Sequence, residues 1–174
     1  MAAGLSKTKW NGQVSLLPEN GISDIPMDVS LTYEGKKNKQ EILTTLPAVV
    51  KSLWKGNPAN NRLYYGDNFP VLANLLNDAS VSGKVRLIYI DPPFATKSVF
   101  QSRTQTDAYT DLLEGSHYIE FIRERLILLR ELLAEDGSIY VHLDENMAFY
   151  IKVVMDEVFG KGNFRNWITR KKCN

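Results

Sequence analysis

Four consecutive residues suited to holding a flat, amino-bearing ring directly follow an apolar run of the sequence. The run is Val85–Ile90, and the four residues are Asp91, Pro92, Pro93 and Phe94. The prolines fix their φ angles at about −65° and lack backbone N–H groups, which leaves rigid carbonyl acceptors. Asp91 adds a carboxylate acceptor, and Phe94 adds a ring for stacking. Because an exocyclic amine donates two hydrogen bonds, the segment predicts a site for an aromatic amine. Taken alone, it also fits a strand-terminating turn.

Strand-like and helix-like patterns alternate from residue 61 onward. Short apolar runs predict strands at Leu63–Tyr65, Val85–Ile90, Ser138–Leu143 and Phe164–Thr169. Apolar residues at helical spacing predict helices at Phe69–Leu76, His117–Ala134 and Glu145–Phe159. This order favours an α/β fold with a parallel sheet and right-handed crossovers. Ligands gather at the carboxyl ends of the strands in such sheets, where Asp91–Phe94 would lie.

Turn-forming residues recur in residues 1–60, which predict a loosely structured N-terminal extension and not an independent domain. Within this extension, short helices are predicted at Lys39–Leu43 and Leu46–Trp54. The composition fits one soluble domain with a core, because the chain has 174 residues, of which 44% are hydrophobic. The net charge of +1 does not by itself indicate a nucleic-acid partner.

The distribution of charge and the cysteine content bear on the partners and the cellular compartment of the protein. Residues 161–174 contain five basic residues and no acidic one, which fits either a solvated tail or a phosphate-contacting edge. The lone Cys173 excludes an internal disulfide, and no zinc-ligand spacing is present, so we expect no metal and a reducing cytoplasm. No apolar run approaches the roughly 20 residues that span a membrane, and no signal peptide is evident.

Five stretches, in order, carry a resemblance to a known family. They are Tyr65–Asn68, Leu87–Phe94, Tyr118–Leu126, Asp136–Asp144 and Asn163–Ile168. Together they resemble the amino-methylating DNA methyltransferases, in particular the adenine-N6 branch of restriction-modification type with an early Asp-Pro-Pro-Phe motif. The similarity covers residues 40–174. It implies a Rossmann-like methyltransferase fold of about seven strands, of which this chain supplies about four. Residues 61–174 would then be part of a catalytic domain.

The resemblance implies methyl transfer from S-adenosylmethionine to the N6 amine of adenine in double-stranded DNA, after the base is flipped out of the duplex. Asp91 would accept one N6–H bond and the Pro92 carbonyl the other, with Pro93 keeping the backbone rigid and Phe94 stacking on the base. Asp67 would either approach the cofactor or cap the following helix. Asp144 is better placed as a helix cap, and His142, inside a predicted strand, as a structural histidine.

One family feature is missing from the sequence. The Phe-x-Gly-x-Gly segment that binds the methyl donor does not occur in the chain. We therefore expect an N-terminal, base-binding half that is inactive alone and associates with a complementary C-terminal segment or with itself. Two alternatives stay open: a cofactor-deficient DNA- or partner-binding subunit, and a guanine-N2 ribosomal RNA methyltransferase.

Overall fold

The computed structural model describes residues 29–53, 61–93 and 115–171, so Phe94 and Cys173 lie outside the described residues. The elements follow one another as α1 (Lys39–Leu43), α2 (Asn68–Leu76), β1 (Val85–Ile90), α3 (Gly115–Leu132), β2 (Leu133–Val141) and α4 (Ala148–Phe159). One 3-10 turn, Lys161–Asn163, comes after α4.

The two strands pair in parallel and are joined by α3. The register places Leu87 opposite Ser138 and Ile90 opposite Val141. A parallel pair needs a long crossover, which α3 provides here. The backbone N–H of His142 donates to the carbonyl of Ile90 at 2.9 Å, so both strands end at the same edge. The predicted α/β class with parallel strands is therefore confirmed, whereas the Rossmann-like topology stays a prediction.

Gly137 lies close to the backbone of the paired strand. A Cβ atom at this position would lie 2.8 Å from the carbonyl oxygen of Val85 and 2.8 Å from Cδ1 of Leu133. The pairing is irregular between Val85 and Leu87, at the same end of the sheet. A glycine is needed here because β2 begins directly after α3 and lies close against β1. A side chain at this position would clash with the backbone of β1.

The described residues contain two strands where the sequence predicts four. The predictions of strands at Leu63–Tyr65 and Phe164–Thr169 are wrong for this part of the chain, since neither segment pairs with another. A strand needs a neighbour to satisfy its backbone groups, and no neighbouring strand lies beside these exposed segments within the described ranges.

The prediction of α1 is confirmed, but the helix predicted over Leu46–Trp54 is absent from residues 46–53. This stretch bonds to α2 instead. The N–H of Ala48 donates to the carbonyl of Pro70 at 2.8 Å, and the amide of Asn74 donates to the carbonyl of Ala48 at 3.1 Å. These tertiary bonds hold the backbone in an irregular conformation that the local sequence does not reveal.

Helix α3 forms the centre of the core. One face packs against α4, with Tyr118, Ile122 and Leu126 fully buried. A second face meets α1 and α2 through Ile127 and Leu128, and Leu129 and Leu132 cover β1. A helix that is buried on several sides can hold a site in place, because it cannot shift without disturbing every neighbour.

Residues 31–43 pack on this core. Ile42 of α1 is 1% exposed and contacts the cluster formed by Ala73, Ile127 and Leu128. The Tyr33 hydroxyl donates to a carboxylate oxygen of Glu120 on α3. The division of the chain at residue 61 stays a prediction, but this segment lies against the helix that organises the core.

Candidate functional site

The segment Asp91-Pro92-Pro93 leaves β1 at the carboxyl edge of the strand pair, as the sequence predicts. Strand β1 ends at Ile90 because Pro92 and Pro93 cannot donate to a sheet. The Asp91 carboxylate is 58% exposed. Its oxygens are therefore accessible to a ligand at the edge of the sheet. Phe94, the fourth predicted site residue, lies outside the described residues.

A cavity of about 260 Å³ opens beside this segment. It is lined by Asn68, Leu72, Ile90, Asp91, Pro92, Pro93, Phe121, Ile122, Arg125 and Leu129. Most of the wall is apolar. Its polar groups are the Asp91 carboxylate, the Asn68 amide and the Arg125 guanidinium. Its volume is close to the lower end of small-molecule sites, about 300 Å³. The arrangement suits one flat, largely apolar ring with a polar edge.

Asp91 has a neighbour that the sequence did not assign to the site, His142, which in turn contacts a tyrosine of β1. Nδ1 of His142 lies 3.7 Å from Oδ1 of Asp91, and the Tyr89 hydroxyl lies 3.2 Å from the same Nδ1. The expectation that His142 lies inside a strand is wrong, because β2 ends at Val141. His142 is the first residue after the strand, about half exposed, and borders the predicted catalytic acid.

Asp67 is the N-cap of α2, which confirms the helix-cap prediction. Its Oδ1 accepts from the N–H of Phe69 at 3.0 Å, satisfying a donor that the first turn cannot bond internally. The same oxygen accepts from Nη2 of Arg125 at 3.0 Å. Whether Asp67 also contacts a cofactor stays a prediction. Its neighbour Asn68 lines the cavity directly.

Arg125 is the cavity residue that sequence reasoning missed. Its guanidinium lies 3.6 Å from the ring centroid of Phe121, one turn earlier on α3. Nε donates to Oδ1 of Asn68 at 2.6 Å. The available signal was an arginine between the core residues Ile122 and Leu126, on the apolar stripe of α3. A buried charge on such a stripe requires nearby partners.

The profile of the DNA methylase family matches residues 85–174, which is more than half of the chain. This chain belongs to the DNA methylase family. The matched region begins with β1 and includes Asp91-Pro92-Pro93-Phe94. The resemblance to DNA methyltransferases inferred from the sequence is thereby confirmed.

Curated relatives of this chain include a type II methyltransferase and Mod subunits of type III restriction-modification enzymes. The type II methyltransferase M.EcaI of Enterobacter cloacae is 38% identical, with all of this chain aligned to 40% of the relative. The probable type III HindVI Mod subunit of Haemophilus influenzae is 37% identical over 70% of this chain and 15% of its own length. The type III EcoPI Mod subunit of Escherichia phage P1 is 35% identical over 82% and 24%, respectively. The chain thus spans less than half of each of these relatives.

Asp144 lies after the end of β2, and its carboxylate bonds to the turn before α4 and not to the first residues of that helix. The N-cap residue is Met147, whose side chain makes no capping bond. The Asp144 carboxylate instead accepts from the N–H of Met147 at 3.3 Å and from the Asn146 amide at 2.9 Å. The prediction of Asp144 as the cap is wrong because a turn separates it from the helix. It stabilises that turn.

Two absences hold for residues 29–53, 61–93 and 115–171. Within them, no three His, Cys, Asp or Glu side chains come together as a metal site would require. None of the helices in those ranges is both long enough and apolar enough to cross a membrane.

Proposed function

We propose that this chain supplies the base-binding half of a DNA methyltransferase that methylates the N6 amine of adenine with S-adenosylmethionine. The observation that carries the proposal is the joint placement of Asp91, Pro92 and Pro93 on the wall of a ring-sized cavity at the end of a parallel strand. Membership of the DNA methylase family supports the reaction class. An acidic first residue in this segment favours adenine as the target base.

In this mechanism the chain acts by positioning and by accepting hydrogen bonds. The Asp91 carboxylate accepts one N6–H of the flipped base, and the Pro92 carbonyl accepts the other. Together they turn the nitrogen lone pair out of conjugation with the ring and toward the methyl carbon. The donor would supply the methyl carbon and its sulfur would keep the electron pair of the broken S–C bond, while the proton released from the methylated amine would pass to water. The residues of this chain only position the amine, so no covalent enzyme intermediate is needed. Phe94 supplies the stacking face in this proposal.

S-adenosylmethionine supplies the methyl group when it is bound. The described residues meet its needs only in part. Asn68, at the start of α2, brings an amide to the cavity wall, and the carboxylate of the preceding residue Asp67 shares its contact with Arg125. These two groups suit the polar edge of a nucleoside. The glycine segment that would cradle the rest of the donor does not occur in this sequence. We therefore propose that the chain alone binds the donor poorly.

A complementary partner is part of the proposal. Leu87, Tyr89 and Tyr140 lie on the face of the strand pair opposite α3, and all three are largely exposed. Parallel sheets normally have both faces covered. The complementary methyltransferase segment is the proposed cover, with self-association of the chain as the alternative. A stable monomer of the isolated chain by light scattering, with no shift on adding that segment, would argue against both.

The test compares the 174-residue chain alone with a chimera in which the rest of the M.EcaI relative follows it. Double-stranded DNA is incubated with labelled S-adenosylmethionine, and the digested nucleosides are separated. We expect no methylation by the chain alone and N6-methyladenine from the chimera. Formation of N4-methylcytosine by the chimera would overturn the base assignment.

Within the chimera, Asp91→Asn tests the catalytic assignment. Losing one preorganised partner of the reacting group is expected to lower kcat by about 100-fold or more. Asp136→Asn is the matched control, because Asp136 is an exposed carboxylate at the opposite end of the sheet, paired with Arg86. Equal rates for Asp91→Asn and the parent chimera would remove Asp91 from the mechanism.

The alternative that stays open is a second candidate, a DNA- or partner-binding subunit without catalysis of its own. This candidate predicts DNA binding by the chain and no methylation by the chimera. It also predicts that Asp91→Asn leaves DNA binding unchanged. A methylating chimera would exclude it.

A further inference from the structure

Arg125 is a buried charge at the centre of the cavity wall. The residue is 9% exposed and lies on α3, the helix that packs against α1, α2, α4 and β1. Burying a guanidinium is costly unless its N–H groups find acceptors. The identity of those acceptors therefore indicates the role of the Arg125 side chain.

The acceptors come mainly from the start of α2. Nε donates to Oδ1 of Asn68 at 2.6 Å, and Nη2 donates to Oδ1 of Asp67 at 3.0 Å. Nη1 donates to the carbonyl of Phe121 at 2.8 Å, within α3. One planar group thus joins the N-terminus of α2 to the body of α3. The carboxylate of Asp67 is 64% exposed, so this contact orients a group that is otherwise open to solvent.

Two aromatic rings fix the plane of the guanidinium. Its carbon lies 3.6 Å from the Phe121 ring centroid and 5.5 Å from that of Phe69. A flat, delocalised cation can stack on a ring and donate along its edge at the same time, whereas an ammonium cannot. The geometry is thus specific for arginine and not merely for positive charge.

The same side chain faces the segment that carries the predicted chemistry. Arg125 lines the cavity together with Asp91, Pro92 and Pro93, and α3 packs against β1 through Leu129. Fixing α2 to α3 therefore also fixes the position of Asn68, and of the adjacent Asp67, relative to Asp91 on the cavity wall.

We propose that Arg125 is a positioning residue, whose guanidinium holds Asp67 and Asn68 in place to receive the nucleoside part of the methyl donor. This inference rests on the proposed function, and it assigns to Arg125 a role in donor affinity. It does not make Arg125 a group that touches the reacting atoms.

The test uses the methylating chimera with Arg125→Gln and Arg125→Lys. We expect each variant to raise the KM for S-adenosylmethionine about tenfold or more, with the KM for DNA unchanged and kcat changed less than threefold. Lysine should fail to restore the KM because its ammonium lacks the planar set of N–H donors with which the guanidinium bonds to Asp67 and Asn68. The matched control is Arg130→Gln, an exposed arginine on the same helix, which should behave as the parent. Full activity of Arg125→Lys, or loss of kcat and DNA affinity together, would overturn the proposal.

A second measurement separates this inference from the proposed function. Amide hydrogen exchange of Phe69 is followed in the 174-residue chain itself, which requires no activity. Arg125→Gln should speed this exchange about tenfold while amides of α4 keep their rates, and Arg130→Gln should not. If the chimera is inactive but this exchange responds, the proposed function fails and the positioning role of Arg125 stands. If the exchange does not respond, the inference fails by itself.

Discussion

Nδ1 of His142 lies 3.7 Å from Oδ1 of Asp91, across the shared carboxyl edge of β1 and β2. The two residues follow strands that pair in register, so the sheet sets their separation. The Tyr89 hydroxyl lies 3.2 Å from the same Nδ1 and restrains the imidazole. The pairing of β1 with β2 therefore places a histidine of the neighbouring strand end beside the predicted catalytic acid.

His142→Ala should lower the methylation rate of the chimera about fivefold, because the Asp91 carboxylate loses the neighbour that restrains it. The effect should be modest, since both side chains are about half exposed and water screens the contact. Steady-state kcat on DNA measures this, and His117→Ala is the control, an exposed histidine at the start of α3. A loss of 100-fold or more would instead indicate that His142 acts directly on the reacting groups.

Ile42→Ala should destabilise the whole chain by about 3 kcal/mol. Ile42 is 1% exposed, and removing a buried Ile side chain costs its transfer free energy and leaves a cavity beside Ile127 and Leu128. Urea unfolding followed by circular dichroism measures the change. Val49→Ala is the control, because Val49 is 98% exposed and should change stability by less than about 0.5 kcal/mol. An unchanged midpoint for Ile42→Ala would show that α1 is not part of the cooperative unit, as the predicted boundary at residue 61 implies.

The sequence predicted those features that depend on local patterns. Strand β1 has the predicted bounds, because a continuous apolar run favours a buried strand and the two prolines that follow it cannot continue the sheet. The Asp67 cap was also local, since its partner Phe69 lies two positions away. Strand pairing is different. Phe164–Thr169 has a strand-like composition, but a strand forms only beside a partner, which its own residues do not specify.

The missed part of the site depends on distant residues. Arg125 bonds to residues 57 and 58 positions away, and His142 lies beside a tyrosine 53 positions earlier. Periodicity places Arg125 on α3 but does not show that α2 begins against it. Contacts of this kind become visible only when the helices are packed, so the sequence identified the acid and the prolines but not the groups that orient them.

Gly137→Ala should destabilise the chain by about 2 kcal/mol. The added methyl group would lie 2.8 Å from the Val85 carbonyl oxygen, and backbone atoms of a paired strand cannot move away without breaking the pairing. Thermal unfolding of the chain measures the change. Gly162→Ala is the matched control, because no atom lies within 4 Å of a Cβ there. Equal melting temperatures for the two variants would contradict the close approach of β1 and β2.

Tyr118→Phe should stabilise the chain by about 1 kcal/mol at neutral pH. Tyr118 is fully buried in the core between α3 and α4, and its hydroxyl has no hydrogen-bond partner among the described residues. A buried hydroxyl without a partner costs free energy that a phenylalanine avoids. Tyr33→Phe is the contrasting variant, because the Tyr33 hydroxyl donates to Glu120 and its loss should destabilise the chain.

The same tyrosine predicts a loss of stability at alkaline pH. Burial, and secondarily the charge of Asp144, raises the pKa of Tyr118 from 10.0 to about 12. Between these two values the unfolded chain loses the phenolic proton while the folded chain keeps it. The folded state therefore binds more protons, and the free energy of unfolding falls as the pH rises. The contribution is fully present below pH 10 and falls by about 2 kcal/mol by pH 12.

Urea titrations from pH 8 to pH 12 on the parent and on Tyr118→Phe isolate this effect. The stability advantage of the variant should grow steadily above pH 10, because only the parent must keep a phenol protonated in its core. Tyr65→Phe controls for tyrosine ionisation in general, since Tyr65 is exposed and should follow the parent at every pH. A constant difference between the parent and Tyr118→Phe across this range would mean that water reaches the Tyr118 hydroxyl in the folded chain, and that the packing of α3 against α4 opens there.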